Sequence, residues 1–256
     1  MSLSINSGFG RPIAKVGKKI ITVVTNREEI TENEIPVRSK IVLDKNDPVI
    51  FQQIPDTTKE RDILYITGPS GSGKSTYVVN YLKEYKKAYK TRPIYVLSSL
   101  KEDETLDKIA GLKRIKLDDT IWRNPIEAEM FKDSCVIADD VDVISDKKIR
   151  DAVLIIINQI LEIGRHFNIS LLMTNHLSTA GHATRRILNE AHTITYFPHS
   201  GASKGIKYLM EQYCGIDKKD IAIAKKSGSR YCCVFKNYPC VMLTERMMWQ
   251  PDCEDD

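Results

Sequence analysis

The pattern of apolar and polar residues changes near residue 61. Before it, two short apolar runs stand out, Lys19–Thr25 and Lys40–Leu43, and both have the composition of short β-strands. After it, compact apolar runs alternate with longer amphipathic stretches. The pattern therefore predicts residues 1–60 as a partly β N-terminal extension and residues 61–256 as one α/β core.

Five apolar runs in the second part have the length of buried strands. They are Ile63–Thr67, Pro93–Ser98, Ser134–Ala138, Ile169–Met173 and His192–Phe197. Helices are predicted over residues 74–89 and 147–164, and the charged stretch between 98 and 134 is also expected to be helical. Strands that alternate with helices predict a mostly parallel sheet with helices on both faces. A helix over 203–213 and a β-hairpin over 230–244 complete the predicted core.

Composition sets broad limits on the kind of protein. The chain has 256 residues, of which 42% are hydrophobic and 28% charged, as in ordinary globular proteins. No apolar run approaches the roughly 20 residues that a membrane span needs. The first residues form neither a basic leader nor an apolar stretch, so a cytoplasmic protein is predicted. The net charge of +4 permits a nucleic-acid partner without requiring one.

The clearest chemical signal lies between the first strand of the core and the helix that follows it. Residues 68–75 read Gly-Pro-Ser-Gly-Ser-Gly-Lys-Ser and match the phosphate-binding pattern GxxxxGK[ST] in full. Lys74 is predicted to pair with the β- and γ-phosphates of ATP, and the Ser75 hydroxyl to ligate Mg²⁺. The predicted nucleotide-binding residues are Gly68, Pro69, Ser70, Gly71, Ser72, Gly73, Lys74, Ser75 and Thr76.

Further polar groups follow the ends of two later strands, where ligands of parallel sheets bind. Asp139 is predicted to hold Mg²⁺ together with Ser75. Asp140 is expected to orient or deprotonate an attacking water, a task suited to a carboxylate beside a metal. Asn175 is the predicted sensor of the γ-phosphate, and His176 competes with it for that role.

Three arginines are candidates for a finger that stabilises charge on the transferred phosphoryl group. They are Arg165, which follows the long helix, and the pair Arg185 and Arg186 before the last strand of the core. For each of them taken singly, the sequence favours a surface ion pair or a charge at a helix C-terminus. A basic stripe formed by Lys83, Lys86, Lys87 and Lys90 is interpreted as a solvated helix face rather than a nucleic-acid site.

The order of these motifs resembles that of known P-loop ATPases. An additional strand between the two nucleotide motifs resembles the branch that includes RecA-like motors. Asp139-Asp140, then Gly-Arg-His-Phe-Asn-Ile-Ser over 164–170, then Arg-Arg before Ile-Thr-Tyr-Phe over 194–197 is similar to genome-packaging ATPases of large DNA viruses. These are the poxvirus-type members of the FtsK–HerA superfamily. The resemblance covers about residues 63–244, including Ser-Arg-Tyr at 229–231.

This resemblance implies a motor that uses ATP and Mg²⁺ to thread double-stranded DNA into a preformed capsid. It implies a homo-oligomeric ring, a pentamer or a hexamer, with a capsid or portal protein as a further partner. The expected location is the host-cell cytoplasm or a virus factory, with association to the virion. Lys74, Ser75, Asp139 and Asp140 lie at matching motif positions. The chain departs from the superfamily in having Asp140 where many members have glutamate, and Asn175 or His176 where glutamine is common.

A nucleotide kinase is the alternative interpretation. The phosphate-binding loop also resembles that of guanylate kinases, which transfer phosphate to a small acceptor. Such kinases close an arginine-rich lid over the acceptor, and only the segment around Arg185 and Arg186 resembles one. The sequence therefore favours the motor and leaves the phosphotransferase open.

Overall fold

The computed structural model describes residues 2–5, 10–24, 39–179, 181–200 and 202–251. The strands in these ranges are β1 (Ser2–Ile5), β2 (Arg11–Val16), β3 (Lys19–Val24), β4 (Lys40–Val42), β5 (Phe51–Gln53), β6 (Ile63–Thr67), β7 (Ile94–Leu97), β8 (Leu112–Ile115), β9 (Cys135–Ala138), β10 (Ser170–Asn175), β11 (Thr193–Tyr196), β12 (Cys232–Phe235), β13 (Val241–Thr244) and β14 (Met247–Trp249). The α-helices are α1 (Lys74–Ala88), α2 (Thr120–Arg123), α3 (Lys147–Ile163), α4 (His182–Glu190), α5 (Ser203–Leu209) and α6 (Lys218–Lys226).

A ten-stranded sheet forms the centre of the molecule, in the order β4-β14-β13-β12-β11-β6-β10-β9-β7-β8. The run from β11 to β8 is parallel, and the strands from β12 to β4 pair antiparallel. Strands β6, β9, β10 and β11 are buried along their whole length. This agrees with their continuous apolar sequences, because parallel strands are covered on both faces. The predicted parallel sheet and the C-terminal hairpin are therefore confirmed.

The position of β10 brings the two nucleotide motifs to neighbouring strand ends. β10 lies between β6, which leads into the phosphate-binding loop, and β9, which leads to Asp139. The sequence suggested the run at 93–98 as the additional strand, since it lies between the motifs in the chain. In space that run is β7, on the outer side of β9, and β10 occupies the central position.

Several local predictions need correction. The stretch between 98 and 134 is not a long helix: it contains the parallel strand β8, the four-residue α2 and two single 3-10 turns. β10 runs two residues further than predicted, so Asn175 is its last residue rather than part of the following turn. Helices α4 and α6 were not expected, because each has only nine residues and a short apolar face. The C-terminal tail from 252 lies outside the described residues.

Residues before 61 form a second, smaller sheet in the order β1-β3-β2-β5. Its buried side chains, among them Leu3, Ile21 and Phe51, belong to the same apolar cluster as Tyr77 and Leu82 of α1. β4 instead joins the edge of the large sheet by pairing with β14. The division of the chain at residue 60 stays a prediction. None of the helices in the described ranges combines the length and apolarity needed to cross a bilayer.

A buried hydrogen bond fixes α1 against the start of β6. The Tyr81 hydroxyl donates to Oδ2 of Asp62 at 2.6 Å, and the same carboxylate oxygen accepts the backbone N–H of Asp56 at 3.0 Å. Both Tyr81 and Asp62 are buried. A buried carboxylate that loses a donor costs more than an exposed one, because water cannot replace the lost bond. This contact therefore helps to set the position of the helix that carries the phosphate-binding loop.

We predict that Tyr81→Phe lowers the free energy of unfolding by about 1–3 kcal/mol, because it leaves the buried Asp62 carboxylate short of one donor. Urea denaturation followed by circular dichroism measures the change. Tyr95→Phe is the matched control, since the Tyr95 hydroxyl makes no hydrogen bond within the described ranges. Equal stability of the two variants would show that the Tyr81–Asp62 bond contributes nothing.

Candidate nucleotide-binding site

The phosphate-binding loop connects β6 to α1 and depends on two glycines. Gly73, which precedes α1, has φ of +107°, a conformation that side chains with a Cβ rarely adopt. At Gly68 a Cβ atom would lie 2.6 Å from Ser72 Oγ and 2.7 Å from the ring of Phe197, so no larger residue fits. The resulting turn places backbone amides and the N-terminus of α1 around one point, which is the arrangement that binds phosphate.

Lys74 lies at the base of this loop with its ammonium group buried. Its Nζ donates to the Gly68 carbonyl at 2.8 Å and lies 3.5 Å from Oδ1 of Asp140. The Lys74 side chain is only 8% exposed. A cation so far removed from water needs a negative partner, and Asp140 is the one available in this form of the protein. The ammonium group is thus held at the point where phosphate oxygens are expected.

Two carboxylates and one threonine meet beside Lys74. Asp139 and Asp140 directly follow β9, and Thr174 lies on the adjacent strand β10. The Thr174 hydroxyl lies 2.9 Å from Oδ1 of Asp139 and 3.2 Å from Oδ1 of Asp140, and it accepts the Asp140 backbone N–H at 2.8 Å. Ser98, which follows β7, donates to Oδ2 of Asp139 at 3.1 Å. Three neighbouring strand ends therefore hold the acidic pair.

Sequence reasoning missed Ser98 and Thr174 as members of this site. Each stands at the carboxyl end of a strand predicted to lie in the parallel sheet. Ligands bind at this edge of such sheets, so the position of the two residues could have identified them. Their hydroxyl groups orient Asp139, and the carboxylate is the group expected to face the metal.

Burial raises the pKa of Asp139 above its ordinary value, and repulsion from Asp140 adds to the effect. The hydrogen bonds from Thr174 and Ser98 act in the opposite direction. A buried carboxylate beside a second carboxylate is a strong candidate for a cation ligand, because a bound divalent ion removes the repulsion between them. The folded protein without a ligand thus bears an electrostatic cost at this position.

Asp140 adopts a left-handed backbone conformation, with φ of +45° and ψ of +50°. Aspartate tolerates this region better than most residues, but it is uncommon outside glycine. The conformation points the carboxylate toward Lys74 on one side and His176 on the other, where Nε2 lies 2.9 Å from Oδ2. His176 is itself held by its backbone N–H, which donates to Oδ2 of Asp142 at 2.9 Å. The structure therefore brings His176, and not Asn175, to the predicted base.

Asn175 is buried at the end of β10. Its Nδ2 lies 3.2 Å from the Tyr65 hydroxyl, and its Oδ1 has no hydrogen-bond partner within the described ranges. The Tyr65 hydroxyl also lies 3.1 Å from the Leu177 carbonyl, at the start of the loop that follows β10. The assignment of Asn175 as a sensor stays a prediction, with His176 as the competing residue in direct contact with Asp140.

The donor set fits Mg²⁺ and a triphosphate. Magnesium prefers oxygen ligands and keeps several waters, and Ser75 and Asp139 offer one hydroxyl and one carboxylate beside the loop. The Ser75 hydroxyl makes no hydrogen bond within the described ranges, so it is available to a ligand. The buried Ser72 hydroxyl likewise has no partner in this part of the chain. These residues would hold the metal and the phosphates, and the metal would neutralise charge on the phosphate oxygens.

Two of the three candidate arginines, Arg165 and Arg186, lie apart from this site. Arg165 follows α3 and precedes β10, at the amino edge of the sheet, and it lies 3.4 Å from Glu60. Arg186 pairs with Glu162, near the end of the same helix. β6 and β10 separate this edge from the phosphate-binding loop by five residues, about 15 Å of strand. Arg185 is exposed on α4 and has no ion pair within the described ranges.

The basic stripe on α1 is partly engaged by the protein itself. Lys86 donates to the carbonyls of Lys90 and Arg92 beyond the end of the helix, both at 3.1 Å. Lys87 forms an ion pair with Glu84 at 2.8 Å. Positive groups near the last turn also complement the helix dipole. These contacts favour the interpretation of the stripe as a helix-capping and solvated face.

The chain matches no protein-family model. It is 41% identical over 187 residues to the uncharacterized protein V3 of Sputnik virophage, and the match covers 72% of this chain and 75% of V3. It resembles the structure of B204, the DNA-packaging ATPase from Sulfolobus turreted icosahedral virus, with 17% identity, a TM-score of 0.46, and coverage of 76% of this chain and 99% of B204. It also resembles the cytoplasmic domain of the type VII secretion ATPase EccC of Thermomonospora curvata, with 12% identity and a TM-score of 0.51. This match covers 86% of this chain and 29% of the EccC chain. The likeness to EccC concerns the fold alone and agrees with the predicted P-loop architecture.

We predict that Asp139→Asn stabilises the protein in the absence of nucleotide and metal. Because the pKa of Asp139 is raised, the folded state resists its ionisation, and the wild type loses stability as the pH rises above about 4. The substitution removes that cost, so the free energy of unfolding at pH 7 should increase, and the difference should vanish below pH 4.

Thermal and urea unfolding at pH 7 and at pH 4 test this expectation. Asp151→Asn, which neutralises an exposed carboxylate on α3, is the control for a change in net charge. A variant at position 139 that is less stable than the wild type at pH 7 would contradict the electrostatic account of the site.

Proposed function

We propose that this chain, which belongs to the same family as protein V3 of Sputnik virophage, is a P-loop ATPase that hydrolyses ATP to translocate double-stranded DNA, packaging a viral genome into a capsid. The observation that carries the proposal is that the Asp140 carboxylate contacts both Lys74 of the phosphate-binding loop and His176 after β10. This places a carboxylate between the phosphate site and a strand end. A water held at that carboxylate would face the terminal phosphate.

We propose a task in hydrolysis for each of these residues. A bound triphosphate offers Lys74 phosphate oxygens in place of Asp140 Oδ1, now 3.5 Å away. The released carboxylate oxygen can then orient the attacking water and accept its proton. His176, 2.9 Å from Oδ2, keeps the carboxylate in position during this exchange. Bound Mg²⁺ at Ser75 and Asp139 would neutralise charge on the phosphates.

Two observations support a motor that packages DNA. The motifs over residues 63–244 resemble those of poxvirus-type packaging ATPases, and the V3 relative comes from a virophage. Double-stranded DNA, a homo-oligomeric ring and a capsid or portal protein are the proposed partners, in a cytoplasmic or virion-associated location.

We predict that long double-stranded DNA stimulates steady-state ATP hydrolysis several-fold. Because a motor grips phosphates rather than bases, the stimulation should fall steeply with added salt and show little sequence preference. Lys74→Ala should abolish hydrolysis with and without DNA. If the rate of ATP hydrolysis is the same with and without DNA, and labelled γ-phosphate is transferred to a nucleoside monophosphate, the phosphotransferase alternative replaces the motor.

We predict that Arg185 is the finger, since it is the candidate whose guanidinium has no ion pair within the described ranges. Arg185→Ala should lower kcat by about 10³-fold, the effect typical of a lost finger. Arg165→Ala and Arg186→Ala, which each break one surface ion pair, should change kcat only a few-fold.

Mixed assemblies distinguish a finger in trans from a structural effect. Arg185→Ala subunits keep an intact loop, and Lys74→Ala subunits keep an intact finger. Mixing the two inactive variants should therefore restore part of the activity, because some interfaces combine both functional halves. Failure to restore activity, or a larger loss in Arg165→Ala or Arg186→Ala, would reject Arg185 as the finger.

A further inference from the structure

A cleft lies beside the phosphate-binding loop, on the side away from Asp140. One wall is formed by the first two turns of α1, where Thr76 and Asn80 are one turn apart and share a face. The other wall is formed by Phe197, Arg230 and Tyr231. Residues 229–231 belong to the segment that resembles packaging ATPases.

The strand order fixes which end of a bound nucleotide faces this cleft. Along the carboxyl edge of the sheet, β9 with Asp139 and Asp140 lies two strands to one side of β6, beyond β10. β11, which ends before Phe197, and β12, which begins after Tyr231, lie on the other side. Lys74 and Asp140 mark the end where the terminal phosphate reacts. A triphosphate laid across the loop must therefore direct its other end toward Phe197, Arg230 and Tyr231.

Arg230 is held so that its planar group stays open to this cleft. Glu245 accepts from the Arg230 backbone N–H at 2.9 Å and from Nε at 2.9 Å, and it lies 2.8 Å from Nη2. These contacts occupy one edge of the guanidinium, and the side chain remains 71% exposed. A fixed guanidinium plane with a free face stacks well on an aromatic ring.

The neighbouring aromatic residues make this side of the cleft rigid. The ring of Tyr231 packs edge-on against Tyr77, with centroids 4.9 Å apart, and its hydroxyl donates to the Phe51 carbonyl at 2.8 Å. Phe197 is 2% exposed and would contact any Cβ placed at Gly68, so its ring lies directly on the phosphate-binding loop. The cleft therefore has a preformed apolar side continuous with the phosphate site.

We propose that this cleft binds the nucleoside end of the nucleotide, with the base stacked on the guanidinium of Arg230. Asn80 offers an amide to the cleft, and its side chain makes no hydrogen bond within the described ranges, whereas its backbone carbonyl accepts from Gln52 Nε2 at 2.7 Å. Because stacking engages every base through its π-face, recognition by Arg230 discriminates weakly between adenine and guanine. The substrate class is then nucleoside triphosphates without strong selection for the base. The inference rests on the proposed function, since it assigns the remaining part of the same nucleotide site.

Binding of Mg·ATP, Mg·GTP and magnesium tripolyphosphate, measured by isothermal titration calorimetry, tests the proposal. Tripolyphosphate occupies the phosphate site but has no nucleoside. The wild type should bind ATP and GTP within about three-fold of each other. Arg230→Ala should weaken ATP and GTP about ten-fold, as expected for a lost stacking partner, and leave tripolyphosphate unchanged.

Two further variants make the test specific. Arg230→Lys keeps the charge beside Glu245 but removes the plane, so it should weaken ATP nearly as much as Arg230→Ala. Arg114→Ala breaks an arginine–aspartate pair beside the far edge strand β8 and should change none of the three affinities. Unfolding midpoints confirm that each variant is folded. If Arg230→Ala does not fold, Arg230→Lys alone tests the role of the guanidinium plane.

Each outcome separates this inference from the proposed function. A wild type that binds neither ATP nor tripolyphosphate contradicts the nucleotide site as a whole. Unchanged ATP affinity in both Arg230 variants, or an equal loss of ATP and tripolyphosphate affinity, overturns the nucleoside assignment while the phosphate site stands. A wild-type preference for ATP over GTP above about one hundred-fold would overturn recognition by stacking.

Discussion

The hydroxyl of Thr174 is the contact on which the rest of the site depends. It lies within hydrogen-bond distance of both Asp139 and Asp140 and accepts the backbone N–H of Asp140, so it fixes two carboxylates that repel each other. This is feasible only because β10 lies directly beside β9, which brings a residue distant in sequence to the end of the neighbouring strand. The same placement sets β6 on the other side of β10, with Lys74 close to Asp140. The position of β10 therefore determines where both the acidic pair and Lys74 lie.

Much of the architecture could be predicted because its causes are local. The glycines of the phosphate-binding loop are required by backbone conformation and close packing, and continuous apolar runs predict strands covered on both faces. α1 and α3 agree with their predicted bounds to within a residue. The acidic pair at 139 and 140 was expected beside the loop, and the structure places Asp140 3.5 Å from Lys74.

The remaining features depend on contacts between distant segments. Ser98 and Thr174 join the site only through strand order, which chain order does not reveal. The contact of His176 with Asp140 depends on the left-handed conformation of Asp140 and on the hydrogen bond that the His176 backbone N–H donates to Asp142. Charge alone suggested a helix between 98 and 134, whereas pairing with β7 makes part of that stretch a strand. Arg230 acquires its fixed orientation from Glu245, in the turn between β13 and β14.

The pairing of β4 with β14 has a consequence for the order in which the molecule is completed. Lys40 lies opposite Trp249, so the two strands are separated by almost the whole length of the chain. On a ribosome, β4 emerges long before its partner exists and cannot take its place at the edge of the sheet until the segment that carries β14 has been made. The strands around the phosphate-binding loop emerge earlier and have their neighbours sooner. Contacts of such long sequence separation slow folding, so closure of this edge is a late step in the maturation of the newly made protein.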